Sequence, residues 1–279
     1  MKTSIARRAV SDILAVSRCA LPLSTLQWTG SLLVHLPECI RSSSLAPADR
    51  RWASTGARFR TSTGAVVSLP AAYTAGAREM YCRNVYLRSG MTMPAAGWVV
   101  DLGANHGLFS VWAALTGAQV VAVEAQAGFA SEIRALARYN GVADQVHVKI
   151  GLAGGLVLSG ARVGVVADEH RWATTSHGAA SRPADVPLPQ LMADYDIGRI
   201  GLLKMDIEGG EFAVFGMEEN LDWLGQVDQL VLELHRDFGD TLSLVDRLRS
   251  QGFTVDLRDN DGHRVAAGSA SADYAYCQR

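Results

Sequence analysis

Trp98-Val-Val-Asp-Leu-Gly-Ala-Asn-His-Gly-Leu-Phe-Ser110 is the stretch that decides the architecture of this chain. An apolar run, Trp98 to Val100, meets an acid at Asp101. A glycine turn follows at Gly103 and Gly107, and an amphipathic segment begins after it. The pattern predicts a buried strand that delivers the backbone to a tight turn and a helix N-terminus. In an open α/β sheet such a turn lies at the carboxyl edge, where ligands bind. The spacing D-x-G-x-x-x-G differs from the G-x-G-x-x-G of pyrophosphate-binding turns.

Working outward, strands and helices alternate. Strands are expected at Trp98–Leu102, Gln119–Val123, Val146–Gly151, Ile200–Ile207 and Gln229–Leu234. Helices are expected from about His106, over Gly128–Tyr139, over Pro189–Tyr195 and over Thr241–Ser250. This order predicts βαβ units and a sheet covered on both faces. Phe253–Leu257 and Tyr274–Cys277 lack a long helix between them, so an antiparallel hairpin at the sheet edge is expected. Gly154 to Pro187 is rich in Gly, Ser and Ala and reads as a hairpin insertion with a mobile loop.

Upstream, Arg58 to Pro70 reads as a hairpin turning near Gly64, and Ala75 to Leu87 as a helix. Arg41 to Arg60 reads as a Ser/Ala/Pro/Arg-rich linker. Residues 1–50 are expected to form two or three short amphipathic helices, and 51–279 the main domain. Those helices serve as a packing cap, or as a lid or homodimer contact over the site. Lys2, Arg7 and Arg8 ahead of the apolar stretch Ile13–Ile40 give the outline of a signal peptide. Asp12, Arg18, Gln27 and His35 interrupt it, however, and Pro22 and Pro37 break it, so no membrane span is expected.

The chain has 279 residues and a formal net charge of −2. That balance argues against nucleic acid as a partner. Cys19, Cys39, Cys82 and Cys277 form no C-x-x-C pair, which predicts reduced thiols, a cytoplasmic protein and no zinc site.

Four constellations carry chemistry. In the first turn, glycines let the backbone approach a ligand, and the helix N-terminus offers N–H groups and a positive dipole end to a carboxylate. Asp101, at the strand tip, is placed to bind an ammonium group directly or through water. Second, Glu124 closes the next strand, where a carboxylate can take both ribose hydroxyls. NAD would need that acid too, but the pyrophosphate fingerprint is missing, and this turns the reading to S-adenosylmethionine. Third, Leu202-Leu-Lys-Met-Asp-Ile-Glu-Gly-Gly-Glu211 places Lys204, Asp206 and, if the strand continues, Glu208 on one face. Three charges ending an apolar strand are costly unless paired or functional. Fourth, Leu230-Val-Leu-Glu-Leu-His-Arg236 sets Glu233 and His235 on one face of the fifth strand's tip. His106 inside the turn contacts cofactor or acceptor, or caps the helix. His170, His177 and Trp172 lie in the insertion as candidate acceptor contacts.

Together, Val99-Val-Asp-Leu-Gly-Ala-Asn-His-Gly-Leu-Phe-Ser110, Val121-Ala-Val-Glu124 and Leu203-Lys-Met-Asp-Ile-Glu-Gly-Gly-Glu211 resemble the FkbM family of S-adenosylmethionine-dependent methyltransferases, over about Arg58 to the C-terminus. The resemblance implies a Rossmann-like class I methyltransferase fold with a mostly parallel seven-stranded sheet. It implies methyl transfer to a hydroxyl of a natural product or sugar. Carried over by position, Asp101, Gly103, Ala104, Asn105, His106, Gly107, Glu124, Ala125, Gly151, Leu152 and Asp206 bind the cofactor. Ala125 departs from the family, where proline is common, and nothing before Arg50 transfers.

For catalysis, His235 is the expected base, helped by Asp206 and Glu208, with Lys204 as the alternative if burial lowers its pKa. Mg²⁺ held by Asp206, Glu208 and His235 is weighed and not favoured. The competing functions are an NAD-dependent oxidoreductase and a non-catalytic S-adenosylmethionine-binding protein.

Overall fold

The computed structural model of the chain describes residues 5–153, 156–158, 180–182, 186–217 and 221–279. Three helices come first: α1 (Ile5–Cys19), α2 (Pro22–Ser42) and α3 (Ala46–Thr55). A short antiparallel hairpin follows, β1 (Ala57–Arg60) and β2 (Val66–Leu69). The main unit then runs β3 (Trp98–Leu102), α4 (Leu108–Leu115), β4 (Gln119–Glu124), α5 (Phe129–Tyr139) and β5 (Val146–Ile150). After a small antiparallel pair, β6 (Leu156–Leu158) and β7 (Ala180–Arg182), come α6 (Leu188–Asp194), β8 (Ile200–Met205), α7 (Gly210–Met217) and β9 (Gln229–Glu233). The chain closes with α8 (Thr241–Ser250), β10 (Thr254–Arg258) and β11 (Tyr274–Gln278).

Seven strands form one sheet in the order β10-β11-β9-β8-β3-β4-β5. β11 runs antiparallel to both neighbours, and the other pairings are parallel. The expected edge hairpin is therefore present, with β11 threaded inside β10. The order of strands reverses between β3 and β8, which places the ligand crevice above their carboxyl ends. There Asp101 and Lys204 lie side by side in register.

Apolar residues on the two faces of the strands feed two cores. One lies beneath α6, α7 and α8 and includes Val100, Leu203, Met205 and Leu232. The other includes Val99, Val120, Leu202 and Val231, and extends through α4 and α5 to the hairpin and α1–α3. An aromatic chain runs through it, Trp28–Trp52–Phe59–Tyr81–Trp112, with ring centroids 5.0 to 6.2 Å apart. Arg78 is almost fully buried and pairs with Asp12 of α1 and, at 3.0 Å, with Asp49 of α3. Burial opposes its charge, but the two carboxylates hold its pKa above the usual value.

Three sequence expectations change. Arg41–Arg60 is no linker: Trp52 anchors α3 by packing and by its Nε1–H bond to the Ser24 carbonyl (2.8 Å), and β1 follows directly. A boundary at residue 50 thus cuts α3, whose Trp52 belongs to the same core as α4. Ala75–Leu87 is not a regular helix but a single wide turn over Arg78–Cys82, ended by Asn84 at φ 52°. Its side chains are pulled to separate partners: Arg78 to the acids, Tyr81 to the Leu108 carbonyl, Tyr86 to the sheet edge. β8 stops at Met205 rather than Ile207, because Glu208 (φ 54°) and Gly209 (φ 100°) turn the chain into α7. His170, His177, Trp172 and most of the expected insertion loop lie outside the described residues. Among the described residues, no helix is long and apolar enough to cross a membrane, and the four cysteines form no disulfide.

Candidate active site

The glycine turn between β3 and α4 is built by necessity. Gly103 has φ 76°, and a Cβ there would lie 1.7 Å from the Asp206 carbonyl oxygen. Only a residue without a side chain lets the β3 turn pass so close to the β8 tip. At Gly107 (φ 84°) the contact is looser, a Cβ there coming within 3.0 Å of Ile133 of α5. Gly103 and Ala104 donate their N–H groups to the Val123 carbonyl, and Asn105 donates to Glu124 Oε2 at 2.8 Å. Gln126 donates to Glu124 Oε1 at 2.9 Å. Burial pushes the Glu124 carboxyl up, and these two backbone donors oppose it. Each oxygen keeps a further lone pair, which suits the two hydroxyls of a ribose.

The other expected cofactor residues gather at the same edge. Ala104 is buried, and Ala125 is exposed just beyond Glu124. Gly151, beside half-buried Leu152, donates its N–H to the Glu124 carbonyl at 2.9 Å. His106 is tied down: its Nδ1 lies 2.5 Å from Glu132 Oε2, and its ring meets Phe129 edge-on at 4.7 Å. It pins the start of α4 to α5.

Asp101 meets an ammonium of the protein itself. It is fully buried, with Oδ2 accepting from Ser110 Oγ (2.6 Å) and Oδ1 lying 3.1 Å from Lys204 Nζ. Lys204 in turn donates to the Gly103 carbonyl at 2.7 Å and lies 3.7 Å from Asp206. Burial acts to lower its pKa, but Asp101 and Asp206 more than offset that and the pKa rises. Lys204 thus ties the glycine turn to β8, and the lowered pKa on which its alternative role as a base depended is not found.

At the tips of β8 and β9 a second group assembles. Glu211, fully buried in the first turn of α7, accepts the N–H groups of Ile207 and Gly209, each at 2.8 Å. His235 Nδ1 lies 3.1 Å from Glu211 Oε1. Its Nε2 faces Glu208 at 3.3 Å and Asp206 at 3.9 Å. Burial works against protonation, but the Glu211 bond and charge, then Asp206 and Glu208, raise the His235 pKa to about 9. Burial also raises Glu208, with His235 opposing it. Glu208 reaches the group through a left-handed turn, not by the strand alternation expected for it.

Tyr86 was not expected here. Its hydroxyl lies 2.8 Å from Asp206 Oδ2 and 2.9 Å from Glu233 Oε2. One phenol proton cannot serve two carboxylates, so the second contact needs a proton on Glu233. Burial, then the Asp206 charge, pushes Glu233 up to about 8, the direction that favours that proton. No local pattern around Tyr86 announces this role. Glu211 had a weak signal, as an acid in a helix's first turn beside two glycines.

Asp206, Glu211 and His235 offer ligand atoms within 4.8 Å of one another. These atoms already face each other, and both Glu211 oxygens carry backbone N–H groups. A cavity of about 970 Å³ lies elsewhere, between α1 and the segments 83–89 and 258–263. Of the six arginines that line it, Arg78, Arg83 and Arg258 are paired with acids.

The fold and this strand-end site define a methyltransferase of the Rossmann-like α/β class. Residues 101–255 match the sequence profile of the methyltransferase FkbM domain. The chain is 31% identical over 211 residues to 31-O-demethyl-FK506 methyltransferase FkbM of Streptomyces tacrolimicus, covering 64% of this chain and 80% of that one. It is 29% identical over 236 residues to AMB antimetabolite synthetase AmbE of Pseudomonas aeruginosa, covering 66% of this chain but only 11% of that protein. The chain belongs to the FkbM methyltransferase family. Among solved structures, precorrin-6y C5,15-methyltransferase from Geobacter metallireducens overlaps 71% of this chain and 87% of its own, with 14% identity and a TM-score of 0.40. The strand order, not this overlap, defines the fold.

Proposed function

We propose that this chain transfers a methyl group from S-adenosylmethionine to a hydroxyl oxygen of a small molecule, a natural product or a sugar. The carrying observation is the Glu211–His235 pair at the tips of β8 and β9, in the same crevice as the glycine turn and Glu124. Oxygen as the acceptor atom is supported by the relative named for a 31-O-demethyl substrate.

S-adenosylmethionine, when bound, supplies an electrophilic methyl group on a sulfonium. Glu124 takes the ribose hydroxyls, the first turn of α4 takes the methionine carboxylate, and Gly151 and Leu152 border the adenine. Lys204, held by Asp101, keeps the turn in place. Positioning of the acceptor oxygen provides much of the acceleration. His235 takes the hydroxyl proton at Nε2 as attack proceeds, which only its neutral form can do, so turnover grows as pH approaches its raised pKa of about 9. Buried Glu211 holds Nδ1–H, the arrangement by which a carboxylate orients a catalytic imidazole. Tyr86 and Glu233 hold Asp206 beside it. The role of α1–α3 as a cap packed on the methyltransferase domain, and a cytoplasmic location, belong to this proposal. Mg²⁺ does not: activity in EDTA is expected to persist.

Calorimetry tests the reading. S-adenosylmethionine is expected to bind and NAD not to bind. Glu124→Ala should weaken the first by roughly 1.5–3 kcal/mol, the range for hydrogen bonds to a charged group. His235→Gln should abolish most turnover at unchanged cofactor affinity. Binding of NAD alone overturns the reading in favour of an oxidoreductase, and cofactor binding without transfer to any hydroxyl acceptor reduces it to a binding protein.

A further inference from the structure

α2 is apolar on two opposite sides. Trp28, Leu32 and Cys39 pack into the core with Ser24 and Ser31. On the far side Leu23, Leu26, Leu33, Val34, Leu36 and Ile40 are between 40 and 74% exposed. At 3.6 residues per turn they share one continuous arc with Gly30 and Pro37, and Arg41 at its end is the only charge on it. These six side chains leave roughly 700 Å² outside, beyond the ~300–600 Å² of an ordinary monomer's largest patch. α1 exposes Val10, Ile13 and Leu14 at helical spacing as well.

The charge of the same region is one-sided. Residues 1–60 hold nine Lys and Arg against three Asp and Glu, whereas residues 61–279 hold seventeen against twenty-five. The near-neutral total hides a basic segment on an acidic body. Exposed Arg41 stands at the C-terminal end of α2. Exposed Arg58 lies near the N-terminal end of α2 but on its core side, its backbone N–H bonded to buried Ser24 Oγ at 2.9 Å.

We infer that the exposed face of α2 seats the protein on an anionic membrane surface. An apolar arc that lies in the headgroup boundary, ended by exposed Arg41 and carried on a segment with an excess of Lys and Arg to meet negative headgroups, is an arrangement that binds such a surface without spanning it. A second copy of this chain is the less suitable occupant. Pairing two α2 faces would bring two basic segments together, against like-charge repulsion. The stripe Leu23, Leu26, Gly30, Leu33, Pro37, Ile40 has heptad spacing, but Gly30 and Pro37 leave two positions without a knob to pack. Fluid acyl chains tolerate such gaps. The inference stands apart from the methyl-transfer reading.

Co-sedimentation of the full chain with vesicles tests it. Binding to phosphatidylcholine vesicles containing phosphatidylglycerol is expected, about tenfold weaker on phosphatidylcholine alone, and falling as salt rises. The triple variant Leu26→Gln, Leu33→Gln, Val34→Gln should stay in the supernatant with an unchanged circular dichroism spectrum and thermal midpoint. Arg41→Gln with Arg58→Gln, which leaves the apolar arc intact, should lose the preference for phosphatidylglycerol. Wild-type protein that ignores both vesicles overturns the inference, as does a folded triple variant that still sediments. A wild-type dimer in sedimentation velocity that the triple variant dissolves, without vesicle binding, assigns the face to a second copy instead.

Discussion

His235 shows how one residue's surroundings set its chemistry. Its folded pKa of about 9 lies above the ordinary 6.5, because a buried carboxylate holds Nδ1 and two more face Nε2. Two consequences follow at this scale. If Nε2 takes the acceptor's proton, kcat/KM rises with pH and levels off near 9, and a pH–rate profile for the wild type checks it. Stability moves the other way. A raised pKa contributes stability that is complete below pH 6.5 and is lost as pH climbs through about 9. Glu233, also raised, adds to the same decline, so the urea midpoint should fall between pH 6.5 and 9. Glu211 is the residue on which this depends. In Glu211→Gln one backbone donor at Ile207 or Gly209 faces an amide N–H instead of an oxygen. A loss of roughly 1–3 kcal/mol in chemical denaturation is expected.

Among the elements, β3, β8 and the glycine turn behave as one joint. Gly103 admits the Asp206 carbonyl, and Lys204 clamps the Gly103 carbonyl from below. Gly103→Ala combines a left-handed residue, costing about 1–2 kcal/mol, with a Cβ 1.7 Å from a backbone oxygen. The turn must open, so both the thermal midpoint and cofactor affinity should drop together. A variant with wild-type affinity would show that the turn does not hold the cofactor. Much of this joint was legible in the sequence, since Gly103, Lys204 and Asp206 sit at recognisable strand ends. The direction of the Asp101 carboxylate was not. An acid at a strand tip reads as a ligand contact until a lysine on the neighbouring strand is known to stand opposite it.

Across the whole molecule, α1–α3 are welded to the methyltransferase core and do not hang from it. The aromatic chain from Trp28 to Trp112 and the Asp12–Arg78–Asp49 cluster join them to the hairpin and α4. Removing the Trp52 side chain should therefore cost about 3–5 kcal/mol, the range for a large core aromatic, and the whole chain should still unfold in a single transition. Calorimetry that resolves two transitions would separate the helices as an independent unit.

Local pattern alone settled the alternating strands and helices and the acids and glycines at the strand ends. Those signals are short-range: periodicity, turn residues and the cost of charge at the end of an apolar strand are all written within a few residues. Tertiary structure alone decided which groups meet. Tyr86 reaches Asp206 and Glu233 from 120 and 147 residues away, Lys204 answers Asp101, and Glu211 sets the charge of His235. It also turned the apparent linker at 41–60 into a helix and a strand, because Trp52 had a core to enter. Pairings of this kind depend on distance in space and on burial, and no window along the chain carries either.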